Sequence, residues 1–227
     1  MFYDPTFVLL IPAIFLAIWA QWKVSSSFKK WSKVPSARGL TGAQAARMVL
    51  DRAGLNDVRI EGIAGKLSDH YDPRDRVLRL SPEVGNSHSL AAVGVAAHEA
   101  GHALQHAQGY APLAIRARLV PVANLGSTLL WPLVIGGLFL QIPMLLKIGI
   151  VLYAFAVLFH LVTLPVEFNA SSRAIRVLSD NGILAESEIG GAKKVLSAAA
   201  MTYVAATLVA ILQLVRLVLL SGAGRDD

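Results

Sequence analysis

Two histidines separated by three residues, with a glutamate directly after the first, lie near the middle of the chain: His98, Glu99 and His102. Ser87 and Ser89 precede the alanine-rich run around them and offer helix-capping oxygens, which predicts that this run is helical. Because residues four apart lie on one face of a helix, both imidazoles can bind one metal ion. The glutamate can then take a proton from a water molecule beside the metal, which is the chemistry of zinc hydrolases.

The same three residues have a structural interpretation. His98 and His102 would be half-buried histidines of an ordinary amphipathic helix, with Glu99 in a surface ion pair. The chain has 6 histidines among its 227 residues, so a chance match to the pattern is rare. A chance match would also fall in loops about as often as in a helix. We therefore favour the metal site.

A third ligand is required, because catalytic zinc binds three protein ligands and keeps one position for water. His106 lies on the same helical face, but about 12 Å along the helix axis separates it from His98, too far for one ion. The metzincin pattern is excluded, because it requires a glycine and a histidine where this chain has Gln105 and Gln108. The third ligand is therefore expected elsewhere in the chain.

Glu167 is the best candidate for that ligand. It directly follows a long apolar segment, where a carboxylate is unfavourable unless it is paired or binds a metal. The segment that it begins is predicted to be helical as far as Gly182. An ion pair with Arg173 is the alternative for this carboxylate. Two weaker rivals, in a predicted loop or helix start, are Glu186 and Glu188.

The composition indicates a membrane protein, because 55% of the residues are hydrophobic and only 16% are charged. The chain has no cysteine, which excludes disulfides and thiolate metal sites and leaves nitrogen and oxygen ligands. The net charge is +6, but the basic residues flank apolar segments and do not form a groove lined with aromatic residues. A nucleic acid is therefore not predicted as a partner.

Four apolar segments are predicted to cross a membrane as helices, at residues 7–22, 119–140, 144–164 and 198–220. The first segment is short, and its positive charges follow it instead of preceding it, which indicates an uncleaved anchor and not a signal peptide. A buried core helix is the alternative at this length. Only Gln141 to Pro143 separate the second and third segments, which predicts a tight hairpin.

The basic residues predict the orientation in the membrane. Most of them lie in stretches 23–118 and 165–197, and the positive-inside tendency places both stretches on the cytoplasmic side. Four spans then place both chain ends on the side of the membrane away from the cytoplasm, in agreement with Asp4 and the Arg225–Asp227 tail. The two histidines and Glu167 are therefore expected on the same side, with the active site facing the cytoplasm.

The polar region between the first two spans has the character of a soluble domain. Thr41 to Ala53 predicts a helix, and Val58 to Ile63 and Val77 to Leu80 predict two short strands. Asp72 to Asp75 predicts a turn ahead of the second strand. We expect the strand Val77 to Leu80 to offer an edge on which an extended substrate can add as a further strand.

The combination of these segments resembles a known family. The HEAGH motif, Asp69 to Pro73, Val77 to Ser81, the two-span hairpin and Glu167 to Ser171 together resemble the YugP-type neutral zinc metallopeptidases of bacterial membranes. The resemblance covers nearly the whole chain. More distantly, the chain is similar to the HtpX-type membrane gluzincins, in which the third ligand is a glutamate on a helix after the transmembrane hairpin.

The resemblance implies roles for particular residues. It implies one zinc ion bound by His98, His102 and Glu167, with Glu99 as the general base. The HtpX-type pattern also has an aspartate four residues after the ligand glutamate, where it supports a ligand histidine. This chain has a serine at position 171, so the group that orients the histidine stays open; Asn169 or another residue can serve.

Together these features predict a mainly α, polytopic membrane protein with about four transmembrane helices and a small cytosolic zincin-like α+β catalytic region. The whole chain, residues 1–227, is expected to form a single domain, with its catalytic region at about 40–118 plus 165–197. The resemblance implies the bacterial cytoplasmic (inner) membrane as the location, and a lipid bilayer as the surroundings of the spans.

The predicted reaction is zinc-dependent hydrolysis of peptide bonds in a peptide or protein substrate, in the turnover of membrane proteins or peptides. His70 and Tyr71 are candidates to stabilise the transition state or to support the site. A membrane scaffold or adaptor with a structural or vestigial zinc site is one alternative. A metal transporter with His160 as an intramembrane ligand is another, disfavoured because His160 has no intramembrane acidic partner.

Overall fold

Long apolar runs dominate the architecture, because each of them folds as a continuous helix. The structure is a computed structural model and describes residues 5–223. A 3-10 turn at Pro5–Leu10 leads into the helices α1 (Ile11–Trp31), α2 (Gly42–Arg52), α3 (Pro82–Gly85), α4 (Leu90–Ala107), α5 (Ala111–Phe139), α6 (Pro143–Asp180) and α7 (Glu186–Ala223). The strands, all between α2 and α3, are β1 (Arg59–Gly62), β2 (His70–Asp72) and β3 (Val77–Leu80).

Four helical segments are long and apolar enough to cross a membrane: Thr6–Trp31, Ala111–Gly137, Pro143–Asp180 and Glu186–Gly222. This confirms the prediction of a mainly α protein with four candidate spans. The first helix is longer than predicted and continues beyond residue 22 to Trp31, because residues 23–31 contain no proline or glycine. Asp4 and the Arg225–Asp227 tail, used above for the orientation, lie outside the described residues.

The contacts divide the chain into two compact units. One unit consists of the described residues up to Ala20, Ala114–Pro165, and the described residues from Thr202 onwards. The other consists of Gln21–Leu113 and Val166–Met201, and it contains the sheet, the HEAGH segment and Glu167. The assignment of residues 1–227 to a single domain stays a prediction.

The sheet has three strands in the order β1-β3-β2, with β1 parallel and β2 antiparallel to β3. The prediction of two strands was incomplete: β2 has three residues without apolar alternation, and it depends on pairing with β3. The prediction that Val77–Leu80 offers an edge to a substrate is wrong. β3 is the central strand and is paired on both sides, so the edges of this sheet belong to β1 and β2.

Helix α2 begins as predicted from its capping residues. The Thr41 hydroxyl accepts a hydrogen bond from the Gln44 backbone N–H at 3.1 Å, and the Gln44 side chain accepts one from the Thr41 N–H at 2.9 Å. One face of α2 is buried against α4 in a core built largely of small and medium-sized residues, which include Ala45, Ala46, Val49, Leu50, Leu90, Val93, Ala97 and Ala100. This packing holds the helix that carries both histidines.

Candidate metal centre

Helix α4 carries the HEAGH segment. Ser89 is its N-cap, and the Ser89 hydroxyl accepts a hydrogen bond from the Ala92 N–H at 3.2 Å. The helix ends at Ala107, and Gly109 adopts a left-handed φ of 62° just beyond it. The imidazoles of His98 and His102 lie edge to face on one side of this helix, with ring centroids 4.8 Å apart.

The structure brings Glu167 of α6 to the two histidines. Its Oε2 lies 3.3 Å from His98 Nε2 and 3.8 Å from His102 Nε2. The three potential ligand atoms all lie within 4.8 Å of one another. Within residues 5–223, these side chains are the one group of at least three histidines and acids placed closely enough to bind a metal ion together.

The donor set fits zinc. Two imidazole nitrogens and one carboxylate oxygen are the ligands of many catalytic zinc sites, which keep a further position for water. The Glu167 side chain is only 2% exposed, and a carboxylate so far from solvent is unfavourable without a nearby positive charge. A divalent cation between the three side chains would supply that charge.

Glu99 lies on α4 directly after His98, and its side chain is half-buried. Burial raises the pKa of its carboxyl to about 7; the charge on His98 opposes this shift, while those on Glu167 and Asp69 add to it. The backbone N–H of Tyr71 donates a hydrogen bond to the carboxylate and lowers the pKa. The Glu99 carboxyl therefore lies beside the cluster, where it can accept and release a proton near neutral pH.

The second ring nitrogen of each histidine has a neutral partner. His98 Nδ1 lies 3.0 Å from the Ser171 hydroxyl, and His102 Nδ1 lies 3.0 Å from Gln105 Oε1. Ser171, at the sequence position where the HtpX-type pattern has an aspartate, thus contacts one of the two histidines, while Asn169 contacts Gln105 at 3.0 Å. We did not predict Gln105 from the sequence, although a glutamine within an apolar helical run was a usable signal.

His70 and Tyr71, the two residues of β2 considered for transition-state stabilisation, have different hydrogen-bond partners. His70 Nδ1 lies 2.9 Å from the Ser68 carbonyl oxygen, in the loop before the strand. The Tyr71 hydroxyl lies 2.9 Å from Nδ1 of His106, which is exposed on α4. Of these two residues, Tyr71 also interacts with the Glu99 carboxylate through its backbone N–H.

The residues considered as alternatives have other contacts. The guanidinium of Arg173 donates to Asn169 Oδ1 at 2.6 Å and to the Gln108 side chain, and it lies over the Tyr110 ring.

Glu186 is the first residue of α7. Glu188 accepts hydrogen bonds from the backbone N–H groups of two other residues, Ala37 and Ala185. Both acids therefore belong to the start of α7, as the sequence predicted.

A close contact between α4 and α6 depends on the glycine of the HEAGH segment. A Cβ atom at Gly101 would lie 2.6 Å from the Ala170 carbonyl oxygen, which belongs to the helix that carries Glu167. We therefore expect Gly101→Ala to separate the two helices, to lower the free energy of unfolding by about 1–3 kcal/mol and to weaken metal binding. Thermal unfolding in detergent and a zinc titration measure both effects.

Gly190 provides the matched control for this substitution. It lies inside α7, and a Cβ atom there would have nothing within 4 Å. Gly190→Ala is therefore expected to leave metal binding unchanged and to stabilise the helix by about 0.5–1 kcal/mol. If both alanine variants unfolded and bound metal alike, the close approach of α4 and α6 would have no role in the site.

Comparison with known proteins agrees with the resemblance seen in the sequence. The model of the family described as "Putative neutral zinc metallopeptidase" matches residues 6–222. The chain is 49% identical over 219 residues to "Putative membrane protease YugP" of Bacillus subtilis (strain 168), an alignment that covers 96% of this chain and 97% of the relative. No solved structure matches the chain.

Proposed function

Because the chain belongs to the family described as "Putative neutral zinc metallopeptidase", we propose that it is a membrane-embedded zinc endopeptidase of the HExxH gluzincin type. The observation that carries this proposal is the approach of Glu167, from α6, to His98 and His102, on α4. Glu99 lies beside this cluster with a desolvated carboxyl. A cation site with an adjacent proton acceptor is what metal-assisted hydrolysis requires.

In the proposed mechanism, His98, His102 and Glu167 would bind one zinc ion. When bound, zinc acts as a Lewis acid that polarises the scissile carbonyl and lowers the pKa of water towards about 7. Glu99 removes a proton from the attacking water as its oxygen bonds to the carbonyl carbon. Glu99 then passes this proton to the amide nitrogen, and the carbon–nitrogen bond breaks to release the amine.

The oxyanion that forms during this attack needs a further hydrogen-bond donor. Of the two residues considered, Tyr71 is better supported than His70, because its backbone N–H already contacts the Glu99 carboxylate and its ring lies against α4 at His106. His70 is bonded instead to the loop at Ser68. Tyr71 is therefore the candidate donor of this proposal; to reach the oxyanion, its hydroxyl would have to leave His106, which it contacts at 2.9 Å.

The proposed setting is the bacterial cytoplasmic membrane, with the site facing the cytoplasm. Four candidate spans and the similarity to a membrane protease support the membrane association. The excess of lysine and arginine in stretches 23–118 and 165–197 supports the orientation. A peptide or protein is the proposed substrate, and it would reach the site at the membrane surface.

Metal removal tests the proposal directly. We expect the protein purified in detergent to contain about one zinc ion per chain and to cleave a casein-type substrate. Treatment with 1,10-phenanthroline should abolish cleavage, and added zinc should restore it. Undiminished cleavage without metal would contradict a zinc mechanism. Stoichiometric zinc without cleavage of casein or of a peptide library would instead favour the scaffold with a structural zinc site.

A further inference from the structure

Gln105 is a fully buried polar residue that lies beside His102 of the candidate site. Its relative exposure is 0%, and it lies on α4 three residues after His102. Its Nε2 lies 2.8 Å from the Val166 carbonyl oxygen and 3.0 Å from Asn169 Oδ1, both on α6. Its Oε1 lies 3.0 Å from His102 Nδ1. Every polar atom of this amide therefore has a partner.

The partners on α6 determine which way the Gln105 amide points. A backbone carbonyl can only accept a hydrogen bond, so the atom that faces Val166 must be the amide nitrogen. The same is true at Asn169, because Arg173 donates to its Oδ1 at 2.6 Å and a guanidinium can only donate. Arg173 thus orients the Asn169 amide, and the Asn169 and Val166 oxygens together orient Gln105.

This orientation selects one tautomer of His102. With its oxygen towards His102 Nδ1, Gln105 can only accept, so Nδ1 must carry the proton. The proton is then absent from Nε2, which keeps its lone pair and is the ring nitrogen that lies 3.8 Å from Glu167. Metal binding requires such an unprotonated nitrogen. A reversed amide would present N–H groups to Nδ1 and favour the tautomer that cannot bind a metal through Nε2.

We propose that Gln105 is a positioning residue that holds His102 in its metal-binding tautomer, and that Asn169 and Arg173 act through it. The inference rests on the proposed function, because it takes His102 as a ligand. Gln105 also joins the two helices of the site: Val166, which accepts its hydrogen bond, directly precedes Glu167. One amide therefore orients a ligand on α4 and is anchored beside a ligand on α6.

Substitution of Gln105 by methionine tests the proposal. Methionine has a similar length, but its thioether cannot replace the amide oxygen or the amide donors. We expect zinc affinity, measured by competition with a chelating dye, to fall about 10- to 100-fold, and the visible absorption bands of the cobalt-substituted protein to change. The control is Gln21→Met, the same change at an exposed glutamine of α1, which should stay within about twofold of the wild type.

Asn169 provides a second test at a half-buried position, should the methionine variant not fold. In Asn169→Asp, the carboxylate can still accept hydrogen bonds from Gln105 and Arg173, so zinc affinity should be close to that of the wild type. In Asn169→Leu, the acceptor oxygen is lost and with it both hydrogen bonds, and the affinity should fall by at least about tenfold. Equal zinc affinity in the two variants would overturn the proposal.

A purely structural role of Gln105 makes a different prediction. It would lower the unfolding temperature of the metal-free and zinc-loaded protein equally and leave the zinc affinity unchanged, and this result would also overturn the proposal. Zinc binding by the wild-type chain distinguishes a failure of the proposed function from a failure of the proposed role of Gln105. A wild-type chain that binds no zinc would overturn the proposed function together with this inference, whereas wild-type affinity in Gln105→Met would overturn this inference alone.

Discussion

Glu99→Gln should reduce peptide hydrolysis by about 10²- to 10⁴-fold while zinc remains bound. Glutamine has the same shape as glutamate, but its amide cannot take up the proton of the attacking water or pass it to the amine. Zinc should be retained, because the group of potential ligand atoms consists of His98, His102 and Glu167 and does not include Glu99. Turnover of a fluorogenic peptide and metal analysis of the same sample measure the two quantities.

Glu83→Gln is the matched control, because it makes the same chemical change at an exposed carboxylate paired with Lys66 at 3.2 Å. It should leave hydrolysis and zinc content within error of the wild type. Normal turnover in Glu99→Gln would exclude Glu99 as the general base. Simultaneous loss of zinc and activity would indicate instead that Glu99 is required for metal binding.

Glu167→Ala should release the metal and abolish hydrolysis with it. The substitution removes the carboxylate of the proposed ligand set and leaves two imidazoles, one fewer protein ligand than catalytic zinc normally has. The loss of zinc affinity should be larger than the loss of about 10- to 100-fold that is typical when a residue that only supports a ligand is replaced. Metal analysis after dialysis, together with a cleavage assay, measures this outcome.

Glu186→Ala is the control for the loss of a carboxylate. Glu186 was a weaker rival for the third ligand, and it is an exposed residue at the start of α7. The control should keep the zinc content and the activity of the wild type. Stoichiometric zinc in Glu167→Ala would remove Glu167 from the ligands, and loss of zinc in Glu186→Ala would transfer the assignment to the rival.

Features set by neighbours in the sequence were predictable. The spacing of His98 and His102 places them on one helical face wherever the helix lies, and Ser89 caps that helix by a contact three residues ahead. The length and hydropathy of the apolar runs determine that they are long helices. The distribution of basic residues predicted that Glu167 lies on the same side of the membrane as the two histidines, which made their approach possible.

Features that depend on contacts between distant segments were not predictable. The strand β2 has too weak a local pattern to be recognised, and it exists because it pairs with β3. The order β1-β3-β2 places β3 in the centre, and no local property of Val77–Leu80 reveals this. The role of Gln105 depends on two acceptors on α6, so the sequence alone showed only a glutamine in an apolar run.

The serine at position 171 places a neutral group beside one of the two histidines. Its hydroxyl contacts His98 Nδ1 at 3.0 Å, where the HtpX-type pattern has an aspartate. Because Gln105 is also neutral, the Nδ1 atom of each histidine contacts a neutral side chain where a carboxylate is a common partner. The negative charge closest to the proposed cation therefore comes from Glu167 and Glu99, and the imidazoles are weaker electron donors than histidines paired with carboxylates.

The approach of Gly101 to the Ala170 carbonyl oxygen restricts how this chain can evolve. The general HExxH motif leaves its fourth position open to any residue, but here a Cβ atom would lie 2.6 Å from a backbone carbonyl oxygen of the helix that carries Glu167. A side chain at this position therefore fits only if the backbone of α6 moves away, and such a move displaces Glu167. A single substitution there should lower both stability and metal affinity unless a change on α6 accompanies it, which favours coordinated divergence of the two helices.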